Sequence, residues 1–140
     1  MDLANGWGRW GGVIDHLAID VSDIARARAF YAAALAPLGY AVIREAANDA
    51  GAPVVMLGVG GEISFIIAAG APVGTGTHIA FRAGSAEAVD GFHAAALAAG
   101  GRDNGAPGLR PRYSGEYYAA FVIDPDGLNV EAVCHLEAVR

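Results

Sequence analysis

The chain contains an internal repeat. Slid against itself by 62 residues, His16-Leu17-Ala18 falls on His78-Ile79-Ala80, and Phe30-Tyr31-Ala32-Ala33-Ala34-Leu35 falls on Phe92-His93-Ala94-Ala95-Ala96-Leu97, with no gap between the two blocks. In the same register Gly39 falls on Gly101. With 31 alanines among 140 residues, Ala–Ala coincidences carry little weight; the His, Phe and Leu matches carry the repeat. Two related modules are expected, about residues 13–69 and 76–136, together forming one domain.

Each module opens with a strand. Val13 to Val21 alternates, with Leu17, Ile19 and Val21 on one face and His16, Ala18 and Asp20 on the other. Thr77 to Ala83 repeats this, with Ile79 and Phe81 against His78, Ala80 and Arg82. A helix follows in both. Ser22 is the expected cap of the first, with Asp23 in its opening turn, and Ile24, Ala27, Tyr31, Ala34, Leu35 and Leu38 recur at helical spacing. Ser85 is the expected cap of the second, which carries Val89, Phe92, Ala96 and Leu97 to a Gly100-Gly101 stop. Short β segments complete each module: Tyr40–Glu45, Pro53–Gly58 and Glu62–Ala68, then one near Gly101–Asn104, Tyr117–Asp124 and Leu128–His135. The order is β-α-β-β-β, twice, which is an α+β fold. Between Gly105 and Gly115 a Gly/Pro/Arg stretch holding Arg110, Arg112 and Tyr113 reads as a loop, either covering a site or a solvated connector.

The turn Asp124-Pro125-Asp126-Gly127 sets the last hairpin's register. Pro125 is fixed at negative φ, which rules out a two-residue type I′ loop and leaves a three-residue loop with Gly127 in the left-handed conformation. Asp124 then pairs with Leu128, Phe121 with Glu131 and Tyr117 with His135. Side chains of Tyr117, Phe121, Glu131 and His135 share one face, while Cys134 points to the other with Val130 and Ala132.

Composition narrows the chemistry. The chain is 54% hydrophobic and 17% charged, and all nine basic residues are arginine, so Schiff-base and phosphate-loop lysines are excluded. A net charge of −6 argues against nucleic acid, which needs clustered cations to displace counterions; a small molecule is the expected partner. A lone Cys134 cannot form an internal disulfide and suits a reducing cytoplasm. Residues 1–12 lack the pattern of a secretory signal, and no stretch approaches a membrane span.

His16, His78 and Glu131 are the candidates for special chemistry. Each is a polar side chain on a strand whose opposite face is apolar. Two imidazoles and a carboxylate converging on one cavity would suit a divalent cation with open positions. The plainer alternative places each on the solvated face of a sheet.

The paired modules, the opening Ile14-Asp15-His16-Leu17-Ala18-Ile19-Asp20-Val21-Ser22-Asp23 with Phe30-Tyr31, and the closing Phe121-Val122-Ile123-Asp124-Pro125-Asp126-Gly127-Leu128-Asn129-Val130-Glu131 resemble the vicinal oxygen chelate superfamily. That superfamily includes glyoxalase I, type I extradiol dioxygenases, fosfomycin-resistance transferases and bleomycin-resistance proteins. The resemblance implies a glyoxalase-like fold with a cupped mixed sheet, and a divalent metal (Zn, Ni, Mn or Fe) held by His16, His78 and Glu131. It implies a lyase, isomerase or dioxygenase or, alternatively, a metal-free binding protein of the bleomycin-resistance type. The chain departs from glyoxalase I at that enzyme's fourth ligand: aligning Glu62–Ile67 with Leu128–Val133 puts Phe65 there.

Around this centre, Glu131 and Tyr117 are the catalytic candidates, Tyr117 as a hydrogen-bond donor. Arg82, Phe121, Arg112 and Tyr113 are the substrate-contact candidates, while His93 and Cys134 read as structural. A homodimer is the expected assembly. The modules pair within one chain or swap between two; in the second case His16 would meet Glu131 of another copy.

Overall fold

Strand alternation and helical spacing give both modules an apolar face, and the two faces meet in a shared core. The computed structural model describes residues 16–70, 78–111, 113 and 115–136. Along the chain run β1 (Leu17–Asp20), α1 (Ile24–Leu35), a 3₁₀ turn (Ala36–Leu38), β2 (Tyr40–Ala47), β3 (Pro53–Val59) and β4 (Glu62–Ala68). The second module follows as β5 (His78–Arg82), α2 (Ala86–Ala98), β6 (Arg102–Leu109), β7 (Tyr117–Ile123) and β8 (Asn129–His135).

Two four-stranded sheets result, ordered β1-β4-β3-β2 and β5-β8-β7-β6. In each, the first strand runs parallel to the last, and the other pairings are antiparallel. This is the two-module α+β fold with a cupped sheet that the sequence predicts. Phe30, Tyr31, Leu35, Phe65, Val89 and Phe92 are buried between the sheets and helices. Phe65 joins the modules, its ring 5.0 Å from Tyr31 on one side and 5.0 Å from Phe81 on the other, both edge-on. Aromatic burial of this kind supplies much of a small domain's hydrophobic stabilisation, roughly 1.5–3 kcal/mol per large side chain.

The last hairpin has the predicted register. Asp124 N–H donates to Leu128 O (2.8 Å), Gly127 sits at φ +90°, Phe121 pairs with Glu131 and Tyr117 with His135. Its turn also joins the modules. Tyr31 Oη donates to buried Asp124 Oδ2 (2.6 Å), while Asp124 Oδ1 accepts the N–H groups of Asp126 and Leu128, each at 2.8 Å. Burial and the Asp124 carboxylate hold the Tyr31 phenol far above its ordinary pKa.

Two local readings change. Asp23, not Ser22, caps α1 by accepting Arg26 N–H, because Ser22 gives both its N–H and its hydroxyl to Asp126 of the turn. Ser85 caps α2 as expected. The stretch after Gly105 is not all loop: β6 continues to Leu109. Its register shifts between Asp103 and Gly105 and again between Gly105 and Gly108, so Pro107, which has no N–H to give, lies in an irregular stretch. Val13–Asp15, Thr77 and Arg112 lie outside the described residues.

Candidate functional site

Parallel pairing of β5 with β8 sets His78 beside Asn129 and Ala80 beside Glu131, and antiparallel pairing of β7 with β8 sets Phe121 beside Glu131. Residues paired in register share a face, so His78, Asn129, Glu131, Phe121, Tyr117 and His135 stand together on the side of the second sheet away from the core. Their contacts form a chain. His78 Nε2 lies 3.0 Å from Glu131 Oε1, Tyr117 Oη donates a short hydrogen bond to Glu131 Oε2, and Asn129 Nδ2 lies 2.8 Å from His78 Nδ1.

The carboxylate is 3% exposed, which would cost several kcal/mol without partners; here each oxygen has one. With Asn129 donating to Nδ1, the imidazole proton sits on Nε2 and is given to Glu131. Asn104 Nδ2 in turn donates to Asn129 Oδ1 (3.2 Å) and fixes that amide. Phe121 stacks against the His78 ring at 6.2 Å, and His135 meets Tyr117 edge-on at 5.2 Å. Partial burial, then the Glu131 hydrogen bond and charge, push the Tyr117 phenol well above its ordinary pKa, so it remains a donor at neutral pH.

Of the three expected ligands, the structure brings two together. His16, just before β1, belongs with the other sheet, and among the described residues no three His, Cys, Asp or Glu side chains cluster closely enough to hold an ion. His78 Nε2 and Glu131 are donors of the right kind, but Nε2 can ligate only after giving up the proton it shares with Glu131. Arg82 shares the His78 face at the far end of β5, opposite Val133. Tyr113 is exposed, with its ring 4.9 Å from Tyr117. His93 bonds Asp103 on the outside of α2, and Cys134 is buried in the core.

The register moves the fourth-ligand position. Ile66, not Phe65, pairs with Ala18 as Glu131 pairs with Ala80, and Phe65 faces the core. An isoleucine there cannot ligate, so the departure from a four-ligand site stands on a different residue. Asn129 and Asn104 were missed by the sequence reading. Strand parity would have found Asn129, two residues before Glu131 and so on its face.

The sequence profile of the Glyoxalase/Bleomycin resistance protein/Dioxygenase superfamily matches residues 13–132. Among solved structures, a glyoxalase/bleomycin resistance protein from Albidiferax ferrireducens T118 is 31% identical over 88% of this chain and 99% of its own, with a TM-score of 0.73. Glyoxalase I from Zea mays is 23% identical with a TM-score of 0.66; the match covers 88% of this chain and 47% of that longer one. The fosfomycin resistance protein FosX from Listeria monocytogenes is 22% identical over 91% and 97% of the two chains, with a TM-score of 0.64. No curated protein matches the sequence. No helix among the described residues is long and apolar enough to cross a membrane.

Proposed function

We propose that this chain, which belongs to the Glyoxalase/Bleomycin resistance protein/Dioxygenase superfamily, is a divalent-metal enzyme acting on a small substrate that chelates through neighbouring oxygens, as a lyase, isomerase or dioxygenase. The observation that carries this is the buried Glu131 carboxylate set 3.0 Å from His78 Nε2 on the outer face of the sheet, where a merely structural carboxylate has no reason to be buried. His78 and Glu131 would hold the ion with His16 of a second copy, since His16 stands apart from them within one chain. A bound cation would act as a Lewis acid on the substrate oxygens.

The chain's own residues do the rest. For Nε2 to ligate, the His78 proton must move to Nδ1 and the Asn129 amide must turn its oxygen toward it; Tyr117 then holds one oxygen of Glu131 while the other is freed from His78. Glu131 is then placed to take a proton from the substrate, and Tyr117 to return a hydrogen bond to developing negative charge. The lone Cys134 suits a reducing, cytoplasmic setting.

A second reading, a metal-free small-molecule binder, draws on one observation: within a single chain His78 and Tyr117 already satisfy both oxygens of Glu131. Metal analysis of untagged protein separates the two. Near-stoichiometric zinc, nickel, manganese or ferrous iron is expected in the wild type and little in His16→Ala, His78→Ala or Glu131→Ala. Exchanging subunits between His16→Ala and Glu131→Ala should restore about a quarter of the sites, because only one site of each mixed dimer is intact. A wild type that binds none of these metals, or a His78→Ala variant that binds as well, overturns the enzymatic reading.

A further inference from the structure

A cavity of about 540 Å³ is lined by Asn104, Gly105, Arg110, Pro111, Tyr113 and two neighbours of His78, Phe121 and Asn129. Its features go beyond what metal binding needs. The Arg110 guanidinium lies over the Phe121 ring, 5.5 Å from its centroid, and Phe121 stacks in turn on His78, so cation, ring and imidazole form a layered column. Nη2 of Arg110 donates to Ala106 O at 2.7 Å, folding the side chain back along its own strand.

Two glycines make that fold possible. A Cβ on Gly105 would lie 3.2 Å from Arg110 Nη2 and 3.0 Å from Phe121 Cδ2, and a Cβ on Gly108 would lie 3.3 Å from Arg110 Nη1. A side chain at either position would press on the guanidinium and shift it by a few tenths of an ångström. The irregular pairing of β6 therefore builds a cradle for one cation. Among the described residues no carboxylate bonds to Arg110; its bonded partners are the carbonyls of Ala106 and Leu109. In a chain of net charge −6, a guanidinium bonded to no carboxylate among the described residues, seated over an aromatic ring and lining a cavity is poised for an external anion.

We propose that Arg110 is the anion-binding and specificity-determining residue of this cavity, and that the molecule it takes is a small organic carboxylate whose planar oxyanion the guanidinium engages. This rests on the same site as the metal-enzyme reading and names its substrate class. A carboxylate held at Arg110 would sit one ring away from His78, which is where the oxygens to be chelated would have to be presented. Preorganisation of the guanidinium lowers the ordering cost of binding.

The test uses full-length protein stripped of metal with a chelator, so that its outcome does not depend on the metal centre. Benzoate and its neutral counterpart benzamide are titrated and followed by amide and arginine side-chain NMR and by calorimetry. Benzoate should shift the Arg110 Nε–H and the Gly105 and Gly108 amides. Its affinity should fall about tenfold or more in Arg110→Ala and by less in Arg110→Lys, which keeps charge but loses the planar fork. Benzamide should bind weakly to all three. Equal benzoate and benzamide affinity, unchanged benzoate affinity in both variants, or wild-type shifts that map away from Arg110, Gly105 and Gly108 would each overturn the proposal, the last without any variant needing to fold. Failure of the metal reading appears separately, as absence of zinc, nickel, manganese and iron from the untreated protein while benzoate still binds.

Discussion

Ala18 of β1 lies beside Ile66 of β4, and Ala80 of β5 lies beside Glu131 of β8, at the same place in two copies of one motif. Around Ile66 the next strand offers Met56; around Glu131 it offers Phe121, with Tyr117 four residues earlier on the same face. Around Ile66 the outer face is apolar, with Asp20 and Arg44 farther along it, whereas Glu131 sits in a closed polar network. The helices differ in the same way: Tyr31 of α1 reaches across to Asp124 of the other module, whereas His93, its repeat partner in α2, bonds Asp103 within its own. The inner faces of both modules had to stay apolar because they share one core, so the pattern of Ile19, Phe65 and Ile67 is matched by Phe81, Val130 and Ala132. The outer faces carried no such constraint, and the polar chemistry collected on one of them.

Exchanging the two outer-face residues gives the largest contrast. Ile66→Glu should destabilise by about 3 kcal/mol, since a half-buried carboxylate beside Ala18 and Met56 gains no prepared donor. Glu131→Leu should cost about 1–2 kcal/mol, because the half-exposed His78 and the Tyr117 hydroxyl lose their acceptor but can turn to water. The second variant should nonetheless lose its metal completely. Urea midpoints at pH 7 check the pair, and an Ile66→Glu variant as stable as Glu131→Leu would break the claim that only one face holds prepared partners.

How much of this was readable in the sequence follows from which constraints are local. The β7–β8 register is local: Pro125 fixes one φ, Gly127 supplies the left-handed residue, and counting by twos from Asp124 puts Tyr117, Phe121 and Glu131 on one face. The fourth-ligand position is less local. The two-residue turn Gly60-Gly61 and the irregularity between Leu57 and Gly58 give β4 a different start from β8, and a slip of one residue turns Phe65 from the outer face to the core. The extension of β6 was hidden by Gly105, Pro107 and Gly108, residues that ordinarily end strands and here build the seat of Arg110. The separation of His16 from His78 was not readable at all. Strand parity gives each residue's face within its own sheet, but whether two outer faces meet depends on how the modules pack through their core.

The helix pair gives the next contrast. Tyr31→Phe leaves Asp124 Oδ2 buried without its donor and should cost about 2 kcal/mol, whereas the bond that His93→Ala removes goes to the exposed Asp103 carboxylate and should count for less. The two also differ in alkali. The Tyr31 phenol is raised in the folded state, so its stabilisation is complete below the unfolded phenol's pKa near 10 and is lost as pH rises above it. One such phenol contributes a slope of about 1.4 kcal/mol per pH unit above that point, and Tyr31→Phe should flatten the alkaline decline by that amount. Urea unfolding from pH 8 to 11 measures it; an unchanged slope would mean that the bond between α1 and the turn is not maintained in solution.

The smallest effect belongs to the pair that joins His93 of α2 to Asp103 of β6. The hydrogen bond from His93, and after it the Gly105 N–H, hold the Asp103 carboxyl below its ordinary pKa. A depressed carboxylate stabilises the fold above the unfolded group's pKa, and that contribution is lost as pH falls through the folded value. Asp103 is exposed enough that unfolding curves should barely register its titration, in contrast to the Tyr31 bond. Carboxyl NMR titration will: in His93→Ala the Asp103 pKa should rise toward the ordinary value without reaching it, because Gly105 N–H still donates. A pKa indifferent to His93 would show that the second module's helix bond is not formed in solution, and the contrast between the two helices would then rest on Tyr31 alone.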